Sequence, residues 1–323
     1  MTGSPDEPER GDARYRPLLF SIAYGMTGSV GDAEDLVQDA FVGMTRARQA
    51  GTVIENPKAY LTTAVTRLGI SYLKSARVRR ETYVGDWLPE PVVVTGTDEP
   101  GPAEHAELAD SLSMAFLVLL EALSPIERAV FMLREVFSYD YAAVARATGR
   151  NEANCRQIFA RARQHIAAGA PERDDAPVAA RRAAGEELAR RFFVAAEGGD
   201  MDALLTMLAP DVVLHGDGGG KAQALGEPLH GRERVARLLG GLFRRGKFLG
   251  ASLKLAWVNG QPGAVTYDAD GRVINVFALD IADGTIQAIR SVVNPDKLGH
   301  LGPVSDVARL PDRPETTDKG ERR

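Results

Sequence analysis

Cysteine is nearly absent from this chain: Cys155 is the single thiol in 323 residues. One thiol excludes an internal disulfide framework and any multi-cysteine zinc site. The five histidines are scattered, without the paired spacing of helical metal motifs, so we expect no metal site and no cofactor. This cysteine usage is typical of a reducing compartment, and we expect a cytoplasmic location.

Long hydrophobic runs are lacking too. The longest apolar stretch, residues 112–120, is too short to cross a bilayer and contains Ser113, so we expect no membrane partner. Hydrophobic residues make up 44% of the chain and charged residues 26%, which is globular composition and excludes collagen-like repeats and wholesale disorder. At roughly 150 residues per domain, the length predicts more than one domain.

The sequence motifs of phosphate loops, dinucleotide-binding turns and nucleophile elbows are incomplete or missing in this chain. Residues 217–221 (DGGGK) suggest a phosphate loop, but His215 stands where such a loop needs glycine, and Ala222 where it needs serine or threonine. The dinucleotide glycine pattern and the GxSxG nucleophile elbow are also missing. We assign no catalytic residue. Candidates for lining a small-molecule cavity, or for acid-base chemistry, are His215, Asp217, Lys221, Trp257 and Tyr267.

Charge is segregated along the chain although its formal net value is only −5. One basic segment contains Lys58, Arg67, Lys74, Arg77, Arg79 and Arg80. A second contains Arg146, Arg150, Arg156, Arg161 and Arg163. An acidic segment near the N-terminus contains Asp32, Glu34, Asp35 and Asp39. Because local fields decide where a polyanion docks, the two basic segments are candidates for binding nucleic-acid phosphates.

Apolar spacing and linker composition divide the chain into domains. The predicted division is a disordered tail over 1–11, a helical domain over 12–84, a linker over 85–103, a helical domain over 104–170, a linker over 171–177, an α+β domain over 178–301 and a mobile tail over 302–323. The first linker is rich enough in proline and glycine to stop both helix and sheet.

The α+β domain is predicted to place helices before strands. Helical spacing covers 186–197, 201–208 and 233–244, and strand patterns cover 252–258, 263–267, 273–281 and 285–293. Glycine-containing turns at 268–271 and 282–284 join the later strands as hairpins, so we expect an antiparallel sheet that wraps helices around a cavity.

Two helices of the first domain follow from capping and spacing. Asp32 is the predicted N-cap of a helix that buries Leu36, Val37 and Ala40 and leaves Glu34, Asp35, Gln38 and Asp39 outside. Pro57 suits the first position of a second helix, whose basic residues gather toward its C-terminal end.

The second domain has the pattern of a helix-turn-helix. Residues 124–127 (SPIE) form a capping box, and Thr148-Gly149 separates a short helix from one that Asn151 caps. Groups on the outer face that suit base edges are Asn154, Arg156 and Gln157, and those that suit phosphates are Arg150, Arg161 and Arg163. An ordinary amphipathic surface helix is the alternative interpretation.

These segments resemble bacterial RNA polymerase sigma factors of the extracytoplasmic-function (ECF) class, in the SigJ-like subgroup with a fused SnoaL-like domain. Residues 32–41 resemble the part of sigma region 2 that grips the polymerase clamp, which implies polymerase contacts for Asp32, Glu34, Asp35, Gln38 and Asp39. Residues 57–61 onward resemble the helix that opens the minus-10 element. Residues 124–163 resemble sigma region 4, which reads the minus-35 element.

Three short motifs point to the subgroup. The resemblance implies that the C-terminal domain is regulatory and contacts the linker and the sigma domains, and that these motifs have an interdomain regulatory role. They are Trp87, Leu88, Pro89, Glu90 and Pro91 in the linker; Asp217, Gly218, Gly219, Gly220 and Lys221; and Asn294, Pro295, Asp296, Lys297 and Leu298.

The resemblance implies two all-α sigma domains, a region 2 bundle and a region 4 helix-turn-helix, followed by an α+β cone-shaped barrel. Core polymerase and promoter DNA are the implied partners, and no catalysis is implied. Two alternatives stay open from the residues alone: a stand-alone, ligand-responsive helix-turn-helix regulator, and a bifunctional protein with an enzyme domain at the C-terminus.

Overall fold

The computed structural model describes residues 12–80, 83–94, 112–167, 178–248 and 250–306. Its first helical unit contains α1 (Arg16–Thr27), α2 (Val30–Gln49) and α3 (Pro57–Arg80). Gly28 ends α1 with a φ of 66°, a left-handed conformation that glycine adopts without steric cost. The three helices pack around a common apolar core.

The N-cap of α2 corrects the sequence prediction. Ser29, not Asp32, caps this helix, and its side chain accepts from the backbone N–H of Asp32 at 3.2 Å. Asp32 therefore lies inside the first turn, where a carboxylate still interacts favourably with the helix dipole. Its Oδ2 accepts a hydrogen bond from the hydroxyl of Tyr72 on α3.

The second helical unit contains α4 (Met114–Leu120), α5 (Pro125–Phe131), a π-helical turn (Met132–Val136), α6 (Tyr141–Thr148) and α7 (Glu152–Ala167). The predicted capping box is confirmed, since Ser124 and Glu127 exchange both hydrogen bonds. Gly149, with a φ of 66°, ends α6, and Asn151 caps α7 by accepting from Asn154 N at 2.8 Å. Helices α6 and α7 thus form the predicted helix-turn-helix.

The two helical units share one apolar core. Arg128 of α5 lies at their contact and is 3% exposed. Its guanidinium donates to Met26 O at the end of α1 (2.6 Å) and to Leu120 O (3.0 Å), and it pairs with Glu121. Burial lowers the pKa of Arg128 to about 9, so its donors depend on these partners for compensation.

The C-terminal unit contains α8 (Val178–Gly198), α9 (Met201–Met207), β2 (Leu208–Asp217), β3 (Leu229–His230), α10 (Arg232–Phe248), β4 (Ser252–Val258), β5 (Gln261–Tyr267), β6 (Val273–Ala282) and β7 (Thr285–Val292). With β1 (Val93–Val94) from the linker, the described strands form a sheet in the order β1-β4-β5-β6-β7-β2-β3.

This sheet is mixed, so the expected antiparallel sheet was wrong at one pairing. Strand β2 runs parallel to β7, whereas the other neighbours are antiparallel. The hairpin turns at 268–271 and 282–284 dictate only the pairing of consecutive strands. Strand β2 lies before α10 in the chain and β7 lies well after it, so no hairpin turn joins the two strands. Pro210 and Asp211 also interrupt the strand pattern of β2.

Two predicted boundaries also need correction. Val93 and Val94 lie in the linker that was expected to stop sheet, yet they pair with Val258 and Trp257 of β4. Part of the segment placed in the C-terminal mobile tail lies against β6, because Val273 N donates to Pro303 O and Ser305 N donates to Val273 O, each at 2.8 Å. Backbone hydrogen bonding holds both segments on the sheet.

The sheet buries both of its faces. On β6, Phe277 and Leu279 belong to the core beneath α8, α9 and α10, whereas Val276 and Ala278 belong to a core on the opposite face. That second core includes Leu88 of the linker and Met114 of α4. Alternate side chains of a strand point to opposite faces, so one strand serves both cores.

No helix among the described residues combines the length and the apolar character needed to span a bilayer.

We predict that Arg128→Met lowers the free energy of unfolding by about 3 kcal/mol, because the buried carbonyls of Met26 and Leu120 lose their donor. Urea denaturation at neutral pH measures this change. Arg190→Met is the matched control, since Arg190 forms an exposed pair with Glu187, and such pairs contribute about 0–1 kcal/mol. Equal losses in the two variants would contradict the assigned role of Arg128.

Candidate functional site

The acidic face of α2 is exposed. Glu34, Asp35, Gln38 and Asp39 point to solvent, and Asp32 is half-buried. The apolar residues between them are buried in the first helical unit. The helix therefore buries its apolar residues and exposes its acidic ones, as the sequence predicted. The exposed carboxylates form a surface that does not pack against the rest of the described chain.

The basic residues of α3 have different environments. Lys58 and Lys74 are exposed. Arg67 donates to Ala147 O (3.3 Å) and to Arg146 O (2.9 Å) at the C-terminal end of α6. This guanidinium satisfies the last carbonyls of a helix in the other helical unit, which is a favourable place for a cation. The backbones of Arg77, Arg79 and Arg80 continue α3, and their side chains lie outside the described residues.

Helix α7 presents the predicted outer face. Cys155, Ile158, Ala162 and Ile166 are buried on its inner stripe. The outer face carries the exposed Gln157, Arg161 and Arg163, with Arg150 exposed just before the helix and Asn154 half-buried. Arg156 pairs with Glu152 at 2.8 Å and stacks over the ring of Tyr141 at 4.9 Å. Amide and guanidinium groups therefore share one solvent-facing surface.

The three short motifs meet at a buried ion pair. Lys297 Nζ lies 2.6 Å from Asp217 Oδ2, and these residues are 8% and 0% exposed. The same carboxylate oxygen accepts from the backbone N–H of Leu88 at 2.8 Å, and Lys297 Nζ also donates to Leu88 O. Both backbone groups of Leu88 are thus bound by a charge from the C-terminal unit. A buried ion pair needs such additional hydrogen bonds to offset desolvation.

Two aromatic residues, Trp87 in the linker and Tyr83 just before it, cover this pair. The Lys297 ammonium lies 4.5 Å from the ring of Trp87 and 4.8 Å from the ring of Tyr83. The hydroxyl of Tyr83 donates to Asp217 and accepts from Asn294 Nδ2 at 2.8 Å. Burial, together with the charge of Asp217, raises the pKa of Tyr83, which keeps this phenol a donor.

The glycines of DGGGK permit this close contact. A Cβ on Gly218 would lie 2.4 Å from the carbonyl oxygen of Ala222, and one on Gly219 would lie 2.2 Å from Asn294 Nδ2. Gly219 and Gly220 also have φ values of 57° and 71°, which glycine tolerates best. Lys221 ends the motif in an exposed pair with Asp296, at 2.6 Å.

Sequence reasoning missed a second junction, at Asn259. This residue is 2% exposed; its Oδ1 accepts from Val92 N (3.0 Å), and its Nδ2 donates to Tyr24 OH (2.7 Å) and to Leu112 O (3.2 Å). Tyr24 OH in turn donates to Glu90 O at 2.6 Å. One amide therefore joins the linker, both helical units and the C-terminal unit.

The turn at Asn259 had a sequence signal, but its partners did not. Asn259-Gly260 is a preferred two-residue hairpin loop, and the two φ values are 50° and 69°. The loop type can be predicted from that dipeptide. Nothing in it indicates that the amide meets a tyrosine 235 positions away in the chain.

His215 makes a further contact with the linker. Its Nδ1 lies 2.7 Å from Asp86 Oδ2, one residue before Trp87. Burial lowers the pKa of His215, although the hydrogen bond to Asp86 opposes this shift. The ring is therefore neutral near pH 7, and Nδ1–H donates to the carboxylate. Among the described residues, no group of three or more His, Cys, Asp or Glu side chains has metal-binding geometry.

We predict that Lys297→Met lowers the free energy of unfolding by about 3 kcal/mol, because the Asp217 carboxylate is left buried without its counter-charge. Urea denaturation of the full chain is the measurement. Lys221→Met is the matched control, since its pair with Asp296 is exposed and contributes about 0–1 kcal/mol.

A double variant separates charge from packing. If the unpaired carboxylate causes the loss, adding Asp217→Asn to Lys297→Met recovers part of the stability. A double variant no more stable than Lys297→Met alone, or a Lys221→Met loss as large as that of Lys297→Met, would contradict the prediction.

Family models and known proteins match this architecture. The model described as "Sigma-70 region 2" matches residues 13–79, "Sigma-70, region 4" matches 113–166, and "SnoaL-like domain" matches 189–293. The ECF RNA polymerase sigma factor SigJ of Mycobacterium tuberculosis is 39% identical over 289 residues, which covers 87% of this chain and 90% of the relative. The probable ECF RNA polymerase sigma factor SigI of the same species is 32% identical, over 89% and 93%.

A solved structure agrees with these matches. The crystal structure of the Mycobacterium tuberculosis ECF sigma factor SigJ superposes with a TM-score of 0.71 at 35% identity, covering 91% of this chain and 98% of that chain. The family resemblance and the fold class expected from the sequence are thereby confirmed. The chain belongs to the extracytoplasmic-function RNA polymerase sigma factors and carries sigma regions 2 and 4 followed by a SnoaL-like domain.

Proposed function

We propose that this sigma factor binds the clamp of core RNA polymerase through the exposed acidic face of α2 and contacts promoter DNA through α3 and α7. Its C-terminal unit restrains it in a closed state. The single observation that carries the DNA-binding role is the outer face of α7, where Gln157, Arg161 and Arg163 are exposed above a fully packed inner stripe. Sigma factors are not enzymes, and the proposal assigns no catalysis to the SnoaL-like domain.

The amide groups on α7 suit contacts with base edges, and the guanidinium groups suit contacts with phosphates. Asn154 and Gln157 lie in the N-terminal half of the helix, which is the half that contacts base edges in helix-turn-helix proteins. Arg150, Arg161 and Arg163 suit phosphates, whose contacts position the protein without reading sequence. Arg156 is shared between Glu152 and Tyr141 in this state, so its use on DNA requires exchange of those partners.

Helix α3 supplies the other DNA contact. Lys74 is exposed, and Arg77, Arg79 and Arg80 follow it at the end of the helix. These residues suit the phosphates of an opened minus-10 element. Arg67 is bound to the carbonyls of α6, so it becomes available to DNA only when the two helical units separate.

Promoter geometry supports a separation of the helical units. Elements centred near positions −10 and −35 are about 25 base pairs apart, or about 85 Å at 3.4 Å per base pair. A compact unit of about 150 residues has a radius of gyration of about 15 Å. In the closed state α3 is in direct contact with α6, the helix that precedes α7 in the helix-turn-helix, so α3 and α7 cannot reach both elements at once.

Contacts of the C-terminal unit favour the closed state. Its ion pair binds the backbone of Leu88, its Asn259 binds Tyr24 and Leu112, and its sheet face covers Leu88 and Met114. These contacts link both helical units through the segment that must extend when they separate. We therefore infer that the SnoaL-like domain lowers transcriptional output until the contacts are released.

We predict that Gln157→Ala lowers runoff transcription by holoenzyme roughly 5- to 150-fold on a cognate promoter, because one base contact contributes about 1–3 kcal/mol. Gln164→Ala, near the C-terminal end of α7, is the matched control and should change output by less than twofold. The loss should depend on the base sequence of the minus-35 element. If the wild-type chain neither binds core polymerase nor initiates transcripts, and instead binds duplex DNA specifically by itself, the unaided regulator is favoured over this proposal.

We predict that Tyr24→Phe raises the affinity for core polymerase and the transcript yield at least about fivefold. The variant removes one hydroxyl that bonds Asn259 and Glu90 in the closed state, at a cost of about 1–3 kcal/mol to that state alone. Tyr60→Phe is the matched control, since its hydroxyl meets Gly43 O at 3.4 Å within the first helical unit. Unchanged or reduced output from Tyr24→Phe would contradict the restraint.

A further inference from the structure

A cavity of about 920 Å³ lies in the C-terminal unit between α10 and the sheet. Its apolar wall includes Leu214, Leu239, Phe243 and Phe277. A cavity of this size and lining matches those that enclose drug-sized ligands. Neither promoter recognition nor the contacts with the linker uses this volume.

The cavity contains an incomplete hydrogen-bonding site. Asn275 on β6 is 4% exposed, and its Nδ2 donates to Ser291 Oγ at 3.2 Å. Its Oδ1 is buried and has no partner within the described part of the chain, and the same holds for Thr266 Oγ1 on the neighbouring strand. All three residues line the cavity. Buried amide oxygens are rarely left unsatisfied, and each costs about 1–3 kcal/mol.

The inner polar groups are uncharged. Asn275, Thr266 and Ser291 carry no charge, and His215 in the same wall donates to Asp86 as a neutral ring. Of the charged residues that line the cavity, Glu197, Arg237, Arg245 and Lys247 are exposed. The half-buried Asp268 already accepts from the backbone N–H groups of Asp270 and Arg272, each at 2.9 Å. An ionised ligand group deep in this cavity would lack a counter-charge and would lose its hydration.

Exposed leucines stand among the charged residues at the opening of the cavity. Leu238 and Leu242 on α10 line it and are 39% and 47% exposed. Leucines with such exposure on a helix beside a cavity provide a path along which an apolar molecule can leave water.

We propose that this cavity binds a neutral, largely apolar small molecule whose hydroxyl or N–H group donates a hydrogen bond to Asn275 Oδ1. The rings or chains of the ligand pack against Leu239, Phe243 and Phe277. Its polar group lies close enough to Thr266 to satisfy that hydroxyl as well. This binding site goes beyond the proposed function, because it needs neither polymerase nor DNA.

The test uses two fluorescent probes that differ by one hydroxyl, 1-pyrenemethanol and 1-methylpyrene. Each is titrated with the full chain, and the change in pyrene emission on leaving water reports binding. We expect saturable 1:1 binding of both probes, with about fivefold tighter binding of 1-pyrenemethanol, because one net hydrogen bond contributes about 1 kcal/mol. If neither probe binds, the proposed function in transcription is unaffected. If the chain does not initiate transcription, the probe titration can still be interpreted, because it uses neither polymerase nor DNA.

Variants assign the binding to the cavity. Asn275→Leu keeps the side-chain volume and removes the acceptor, so the two affinities should agree within about twofold. Ala251→Trp fills the cavity and should weaken both probes at least tenfold, whereas Ala153→Trp, on the exposed face of α7, should change neither. Thermal unfolding checks that each variant is folded. If Asn275→Leu does not fold, Thr266→Val takes its place, and we expect it to reduce the preference for the probe that carries the hydroxyl.

The proposal is overturned by any of four results. Neither probe binds in a saturable manner, the wild-type chain binds both probes equally, or the fivefold preference survives both Asn275→Leu and Thr266→Val. Binding that Ala251→Trp leaves unchanged would place the probe outside this cavity and would also overturn it.

Discussion

The Asp217 carboxylate is the constraint on which the closed arrangement depends. It is fully buried, and a buried carboxylate must be paired and hydrogen-bonded to persist. Lys297 supplies the charge, but the remaining donors are Leu88 N in the linker and the hydroxyl of Tyr83 just before it. The C-terminal unit therefore completes its own buried ion pair by holding the segment between the two sigma domains. Detaching the linker would expose both the Asp217 carboxylate and the face of the sheet that covers Leu88.

Several weaker contacts extend that constraint to the whole chain. Asn259 joins Tyr24 and Leu112, β1 adds the linker to the sheet edge, and His300 Nε2 lies 2.8 Å from Pro91 O. Each hydrogen bond contributes modestly in water-exposed surroundings and more where no water can replace it. The proposed function requires the chain to open on a promoter, so the free-energy difference between the closed and open states has to be small enough for polymerase binding to shift it.

Two residues of β2 lie in different surroundings, one in the cavity wall and the other in the buried ion pair. His215 lies in the cavity wall and contacts Asp86. Asp217, two residues later, forms the buried ion pair with Lys297 and accepts from the backbone N–H of Leu88. Cavity and linker therefore share a rigid element of the sheet. If the C-terminal unit regulates the sigma domains as proposed, this strand is where the cavity wall and the linker contacts meet.

Local chemistry in the sequence determined the helices and their exposed faces. Period-3.6 spacing and capping predicted the boundaries of α6 and α7 and the outer position of Gln157, because these depend on neighbours within one helix turn. The hairpins that join β5 to β6 and β6 to β7 followed from turn residues for the same reason. Only the tertiary structure decided the parallel pairing of β2 and β7, the strand in the linker, the engagement of Arg67 by α6, and the meeting of Tyr24 with Asn259. Those features join residues far apart in the chain, and the free energy that selects them comes from burial and pairing across units, which no local pattern encodes.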